Sequence, residues 1–217
     1  MTHIAKTDRL PLRHIPPLDA NFYSYLVIEL AWIANISARQ VKFLCDARQQ
    51  VTGKLMASYA QHGFGLYQVA LNDTGEAVGI CGLIKRDSLQ HPDIGFGFLH
   101  AHWGRGYAFE AARVVLDHAV GKLDSSRVLG INTAANMRSA RMLIKLGLRP
   151  QAQIQLGQEH RDLYQVDASA TRAGVPWSLM FAIYLVATCT QIYWTRSRFG
   201  TQKRIVFSFF SLFRSAS

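Results

Sequence analysis

Apolar and polar residues along this chain follow two periods, and each change of period marks an element. Between Phe64 and Leu71, and again between Glu76 and Arg86, they alternate around Asn72-Asp73-Thr74-Gly75, the pattern of two strands joined by a hairpin turn. Leu10 to Ile15 reads as an earlier strand ended by Pro16-Pro17, and from there to Gln61 the sequence is largely helical. Ile94 to Leu99 is a third strand of the central series. From Ala108 the period lengthens, because Ala108, Ala111, Ala112, Val115, Leu116 and Ala119 fall on one helical face. Arg127 to Thr133 reads as a strand. A short helix then starts at Asn136 as N-cap, carries Met142, Leu143 and Leu146 as its apolar face and stops at Gly147. Tyr164 to Val166 reads as a closing strand. Adjacent hairpins with one crossover helix predict the α+β class, a mixed central sheet with helices on both sides. Roughly 160 residues suffice for one such core.

After Asp167 the pattern changes. All 14 acidic residues lie at or before that position, so of the net charge of +10, about +4 belongs to the core and +6 to the last 49 residues. Val175 to Trp194 is twenty residues without a charge, followed by Arg196, Arg198, Lys203 and Arg204. At ~1.5 Å per residue this segment is long enough as a helix to cross a bilayer core. We therefore divide the chain into a domain at 1–168 and a basic, apolar tail at 169–217. The tail's readings are a transmembrane anchor, a helix on the membrane surface, and a functionless end. The basic cluster follows the apolar run, so a single span would put the domain on the outer side by the positive-inside rule. A surface helix or re-entrant hairpin avoids that conflict. Met1 to Asp19 lacks the apolar core of a signal peptide, and a cytoplasmic domain is expected.

Other features narrow the chemistry. Cys45, Cys81 and Cys189 are odd in number and widely spaced, as free thiols are, and the 8 histidines show no ligand spacing, so no metal is expected. The basic balance is not accompanied by basic patches interleaved with aromatics, so nucleic acid is not expected as a partner.

The strongest signal is Trp103-Gly-Arg-Gly-Tyr-Ala108, a glycine turn between a strand and a helix. Such a turn offers unpaired N–H groups and the positive end of the helix dipole to an anion, best a phosphate or pyrophosphate. No Gly-Lys-Ser/Thr follows, which excludes a P-loop, and Phe109 stands where a dinucleotide fingerprint needs a third glycine. Alone, Gly-x-Gly is more often a tight strand-to-helix turn than a phosphate site, and Asn136 and Ser139 are more often capping residues than catalytic ones. Together and in this order they resemble the GNAT superfamily of N-acetyltransferases, in particular its ribosomal-protein N-terminal acetyltransferase branch. Trp103 to Ala111 matches that branch's Trp-Gly-Lys/Arg-Gly-Tyr-Ala-x-Glu-Ala, Ile94-Gly95-Phe96 its Ile-Gly-Tyr/Phe, and Thr7-Asp-Arg-Leu-Pro-Leu-Arg13 its opening strand.

The resemblance implies acetyl-CoA as cosubstrate and an amine, small molecule or protein N-terminus, as acceptor. It implies that the amides of Gly104, Arg105, Gly106, Tyr107 and Ala108 hold the pyrophosphate, that the strand edge at Phe98, Leu99 and His100 pairs with the pantetheine arm, and that Asn136 positions it. Leu143 stands where many relatives carry a tyrosine as acid for the thiolate, so Ser139 takes that role. For the amine's base the sequence offers Glu110, Asp93, His100 and a chain of waters; His100 is named with Ser139 in the catalytic set. The alternative is a non-catalytic acyl-CoA-binding or membrane-tethered module. A chain ending near Ser169 is expected to fold and bind acetyl-CoA as the full chain does, whereas the full chain sediments with membranes or aggregates. A soluble, monomeric full chain on fractionation would contradict both the anchor and the functionless-end readings.

Overall fold

The computed structural model describes residues 3–28, 48–123, 125–157 and 159–167. The expectations for the tail, its 175–194 segment, Cys45, Cys189 and the stretch 29–47 lie outside these residues. In chain order the elements are β1 (His3–Lys6), β2 (Pro11–Arg13), a 3-10 turn at Pro17–Asp19 and α1 (Ala20–Ile28). A π-helical turn at Val51–Leu55 runs into α2 (Met56–His62), followed by β3 (Leu66–Ala70), β4 (Ala77–Ile84) and β5 (Asp93–Phe98). Then come a 3-10 turn at His100–His102, α3 (Tyr107–Gly121), β6 (Arg127–Asn132), α4 (Met137–Lys145), β7 (Arg149–Leu156) and β8 (Glu159–Asp167).

The strands make one eight-stranded sheet in the order β1-β2-β3-β4-β5-β6-β8-β7. Every neighbouring pair is antiparallel except β5 and β6, which the α3 crossover joins in parallel. The α+β class expected from the pattern is what the chain forms. Two strands were not anticipated. β1 is four residues long, too short to show alternation. β7 alternates glutamines with Ala152, Ile154 and Leu156, but it is an edge strand, largely exposed, so it never needed a strongly apolar face. Its Pro150 is tolerated at such an edge. β8 extends well beyond the expected Tyr164–Val166 because it has partners on both sides.

Packing follows the predicted faces. In α3 the stripe Ala111, Ala112, Val115, Leu116 and Ala119 is buried, and the helix lies against β4 and β5. α1 contributes Tyr23, Leu26 and Val27, and the π-helical turn Val51 and Leu55, to a second cluster with Ile80 of β4. Each fully buried aliphatic side chain contributes about 1.5–3 kcal/mol. Cys81 is fully buried on β4, and burial pushes its thiol up, so it is an inert core residue. Among the described residues no helix is long and apolar enough to cross a membrane.

α4 carries two candidate site residues at its start, and its placement depends on Gly130 of β6. A Cβ there would meet Leu143 Cδ2 at 2.8 Å and Leu148 Cδ2 at 2.9 Å, and both leucines are themselves 1% exposed. Gly130→Ala is expected to cost about 1–3 kcal/mol in urea unfolding by overpacking this contact. An unchanged midpoint would mean that α4 is not held this closely.

Candidate active site

β4 and β5 pair from Ile84↔Asp93 to Gly79↔Phe98, but β5 and β6 share only Asp93↔Leu129 and Ile94↔Gly130 before they separate. The Leu99 amide donates to Val78 O at 3.0 Å. Antiparallel alternation then turns the main-chain groups of Gly95, Gly97 and Leu99 to β4, and those of Phe96 and Phe98 toward the gap. That gap is a cleft of about 1340 Å³, with β5, the start of α3 and the start of α4 in its walls. It leaves the N–H and C=O of Phe96 and the N–H of Phe98 without a strand partner, an edge an extended amide chain can join as an added strand.

At the end of β5 the chain turns sharply. Trp103 Nε1 donates to Phe98 O at 2.8 Å and closes the strand. Gly104 and Gly106 follow in the left-handed region, at φ 76° and 80°. Space is not the constraint, since a Cβ at Gly104 would meet nothing within 4 Å and one at Gly106 only Arg9 Nη2 at 3.6 Å. The conformation is what requires glycine. Helix α3 begins at once, with Gly106 as N-cap and no side chain capping it, so the first-turn amides of Tyr107, Ala108 and Phe109 are left for a ligand. A pyrophosphate fits this donor set.

The start of α4 is built the other way. Asn136 Oδ1 accepts from Ser139 N at 3.1 Å, capping the helix with its own side chain, and Asn132 Nδ2 donates to Asn136 O at 3.1 Å. Asn136 and Ser139 both line the cleft, and among the described residues neither Asn136 Nδ2 nor Ser139 Oγ has a hydrogen-bond partner. Capping and a free donor thus coexist: Asn136 caps, and Ser139 keeps its hydroxyl.

The named residues divide as follows. Phe98, His100, Gly104, Gly106, Tyr107, Ala108, Asn136 and Ser139 line the cleft. Leu99 does not, because its amide belongs to β4, and Arg105 is exposed with its carbonyl held by Arg9 Nη1 at 3.1 Å. His100 is exposed at the phosphate-loop end, its ring 4.8 Å from that of Trp103. Glu110 is not placed to be a base. Its Oε1 accepts from Thr7 Oγ1 at 2.5 Å, and its Oε2 from Arg9 Nε at 2.7 Å and from Arg9 Nη2. Burial pushes this carboxyl up, but the Thr7 and Arg9 hydrogen bonds outweigh it and hold the group below the usual range.

Asp93 lies at the other end of the cleft, five residues and about 16 Å of strand from Phe98. It is 2% exposed and paired with Arg86, Nε to Oδ1 at 2.8 Å and Nη2 to Oδ2 at 3.2 Å. Burial raises its carboxyl and Arg86 pulls it back only in part. Tyr23, Val27, Leu66, Ile80 and Ile84 also line the cleft and give it a largely apolar wall suited to an acceptor's body. Asn132, Arg86 and the Thr7–Arg9 corner are functional neighbours that the sequence did not disclose, though Thr7 and Arg9 stand within the opening-strand motif.

A splayed parallel strand pair beside an uncapped glycine turn offers one ligand both an open strand edge and an anion-binding helix start. The family model described as "Acetyltransferase (GNAT) domain" matches residues 9–149, and the chain belongs to that family. The protein YkkB of Bacillus subtilis is 32% identical over 89 residues, 40% of this chain, and the matched stretch spans about half of YkkB, 52%. The uncharacterized N-acetyltransferase YoaA of the same organism is 27% identical over 158 residues, 69% of this chain and 84% of YoaA. Among solved structures, RimL, a ribosomal L7/L12 alpha-N-protein acetyltransferase in complex with coenzyme A, superposes with a TM-score of 0.65 at 15% identity. That match covers 76% of this chain and 98% of RimL, and it shows a shared fold. The chain is thus an acetyltransferase of the GNAT family.

Glu110 ties two distant segments by charge, which gives a pH signature. Its folded-state pKa lies below its ordinary 4.5, so its contribution to stability is complete above that value and is lost as pH falls through the lowered one. Glu110→Gln is expected to lower Tm modestly at pH 7. The difference from wild type should shrink as the pH drops below about 4.5. A difference that persists at pH 3 would assign the effect to shape rather than charge.

Proposed function

We propose that this chain transfers the acetyl group of acetyl-CoA to a primary amine, of a small molecule or a protein N-terminus, by direct attack on the thioester. The pyrophosphate rests on the amides of Gly106, Tyr107 and Ala108. The pantetheine arm runs along Phe98 and Phe96 as an added strand, with Asn136 Nδ2 as donor from the opposite wall. The amine attacks from the Asp93 end of the cleft. A nitrogen–carbon bond forms, the carbon–sulfur bond breaks, and the amine's proton leaves to water. Ser139 Oγ gives its proton to the departing thiolate and regains one from solvent.

The observation that carries this reading is the free Ser139 hydroxyl, across the same cleft from an uncapped helix start. A binding module has no need of the first, and a structural turn has no need of the second. The protein N-terminus is favoured as one acceptor class by the likeness to RimL, whose name gives an α-amino group of a ribosomal protein.

The test is free thiol release from acetyl-CoA across a panel of small amines and peptides with free N-termini. Turnover with at least one acceptor is expected. Ser139→Ala should lower kcat about tenfold or more while leaving acetyl-CoA affinity nearly unchanged. Tight coenzyme A binding with no transfer to any acceptor would instead support the non-catalytic module, and equal kcat in Ser139→Ala would remove that residue from the chemistry.

A further inference from the structure

The corner between β1 and β2 reaches across 96 positions of sequence to the glycine turn and 101 to 103 to the first turn of α3. The corner is itself rigid. Thr7 N donates to Leu10 O at 2.8 Å, and Leu10 N donates to Thr7 Oγ1 at 2.9 Å. It is also fixed to the β3–β4 hairpin, because Asn72 Nδ2 donates to Thr7 O at 3.1 Å and Asp8 O at 2.7 Å, and Asn72 N to Arg9 O at 2.8 Å. From this base Arg9 spreads its guanidinium over three contacts. Nε and Nη2 hold Glu110, Nη1 donates to Arg105 O at 3.1 Å, and Cζ lies 4.8 Å from the centroid of the Tyr107 ring.

The Arg105 contact has a directional consequence. The carbonyl of Arg105 and the N–H of Gly106 share one trans peptide plane and point in opposite directions. A donor that draws the carbonyl to one side turns the Gly106 N–H to the other, into the set of amides at the start of α3. The Glu110 contact has an electrostatic one. A carboxylate one turn into α3 would repel a pyrophosphate bound at that helix start, and Arg9 neutralises it while leaving the amides uncovered.

We propose that Arg9 is a positioning residue for the diphosphate of acetyl-CoA, acting through the Arg105–Gly106 peptide and through Glu110. The inference rests on the acetyl-CoA reading above for the identity of the ligand. It makes Arg9 selective for the phosphate half of that ligand, since the guanidinium touches nothing along β5. Lysine is not an equivalent, because its ammonium is a single point on a shorter side chain, whereas the guanidinium fork sets separate nitrogens on Glu110 and on Arg105 O.

The test compares acetyl-CoA with S-acetylpantetheine, which has the same thioester and no diphosphate, in wild type and in Arg9→Ala and Arg9→Lys, with apo Tm measured for each. The ratio of kcat/KM for the two thioesters is expected to fall about tenfold or more in both variants. Arg9→Lys keeps a charge beside Glu110 and so keeps the fold. Calorimetric coenzyme A affinity should fall by a similar factor, and Arg9→Ala with Glu110→Gln should recover part of the Arg9→Ala loss. An unchanged ratio in Arg9→Ala, an equal loss on both thioesters, or full recovery by Arg9→Lys would overturn the proposal. If wild type turns over neither thioester, the acetyl-transfer reading fails. Coenzyme A affinity in wild type and Arg9→Lys then decides Arg9 alone, with an equal affinity counting against it.

Discussion

Backbone N–H and C=O groups withdrawn from water cost about 1–3 kcal/mol each when left unpaired, so sheets run their ladders to the end. Here one ladder stops early. β5 leaves β6 after Ile94↔Gly130, while its other edge stays paired with β4 as far as Phe98. The remaining features of the site are answers to that separation. Trp103 takes the last carbonyl of β5, the glycine turn redirects the chain into α3, and α4 seats Asn136 and Ser139 on the far wall. Because β4 fixes which residues of β5 face inward, the cleft is rigid on one side and can accept an extended ligand without rearranging the sheet.

The two helix starts that border the cleft solve one problem in opposite ways. Both have first-turn amides to satisfy. α4 satisfies one with Asn136, at a typical gain of about 1 kcal/mol. α3 forgoes a cap, and its N-cap Gly106 sits at φ 80°, where any other residue costs about 1–2 kcal/mol. A helix start left uncapped, beside a carboxylate neutralised by an arginine from another part of the chain, is a stability concession that an anionic ligand would repay on binding.

What could be read from the sequence was what is local. The turn and the cap are written within a few residues of each other, because a positive φ demands glycine and a cap demands Asn or Ser at a fixed offset. The α3 stripe and the β3–β4 hairpin are visible for the same reason. What could not be read depends on parity or on distance along the chain. Leu99 turns away from the cleft because Val78 fixes the alternation of β5. Glu110 looks like a base candidate until Arg9, 101 positions earlier, is found on it. β7 escaped notice because an exposed edge strand can be made of Gln as well as of Val.

The central claim is that the left-handed glycine turn at the start of α3 holds the diphosphate of coenzyme A, and calorimetric titration of coenzyme A into wild type and Gly106→Val addresses it directly. The account predicts measurable binding by wild type and a loss of about tenfold or more in Gly106→Val, with the apo protein still folded, because a β-branched residue cannot hold φ 80°. Equal affinity in the two proteins would contradict it and return Gly104 and Gly106 to the role of a simple turn.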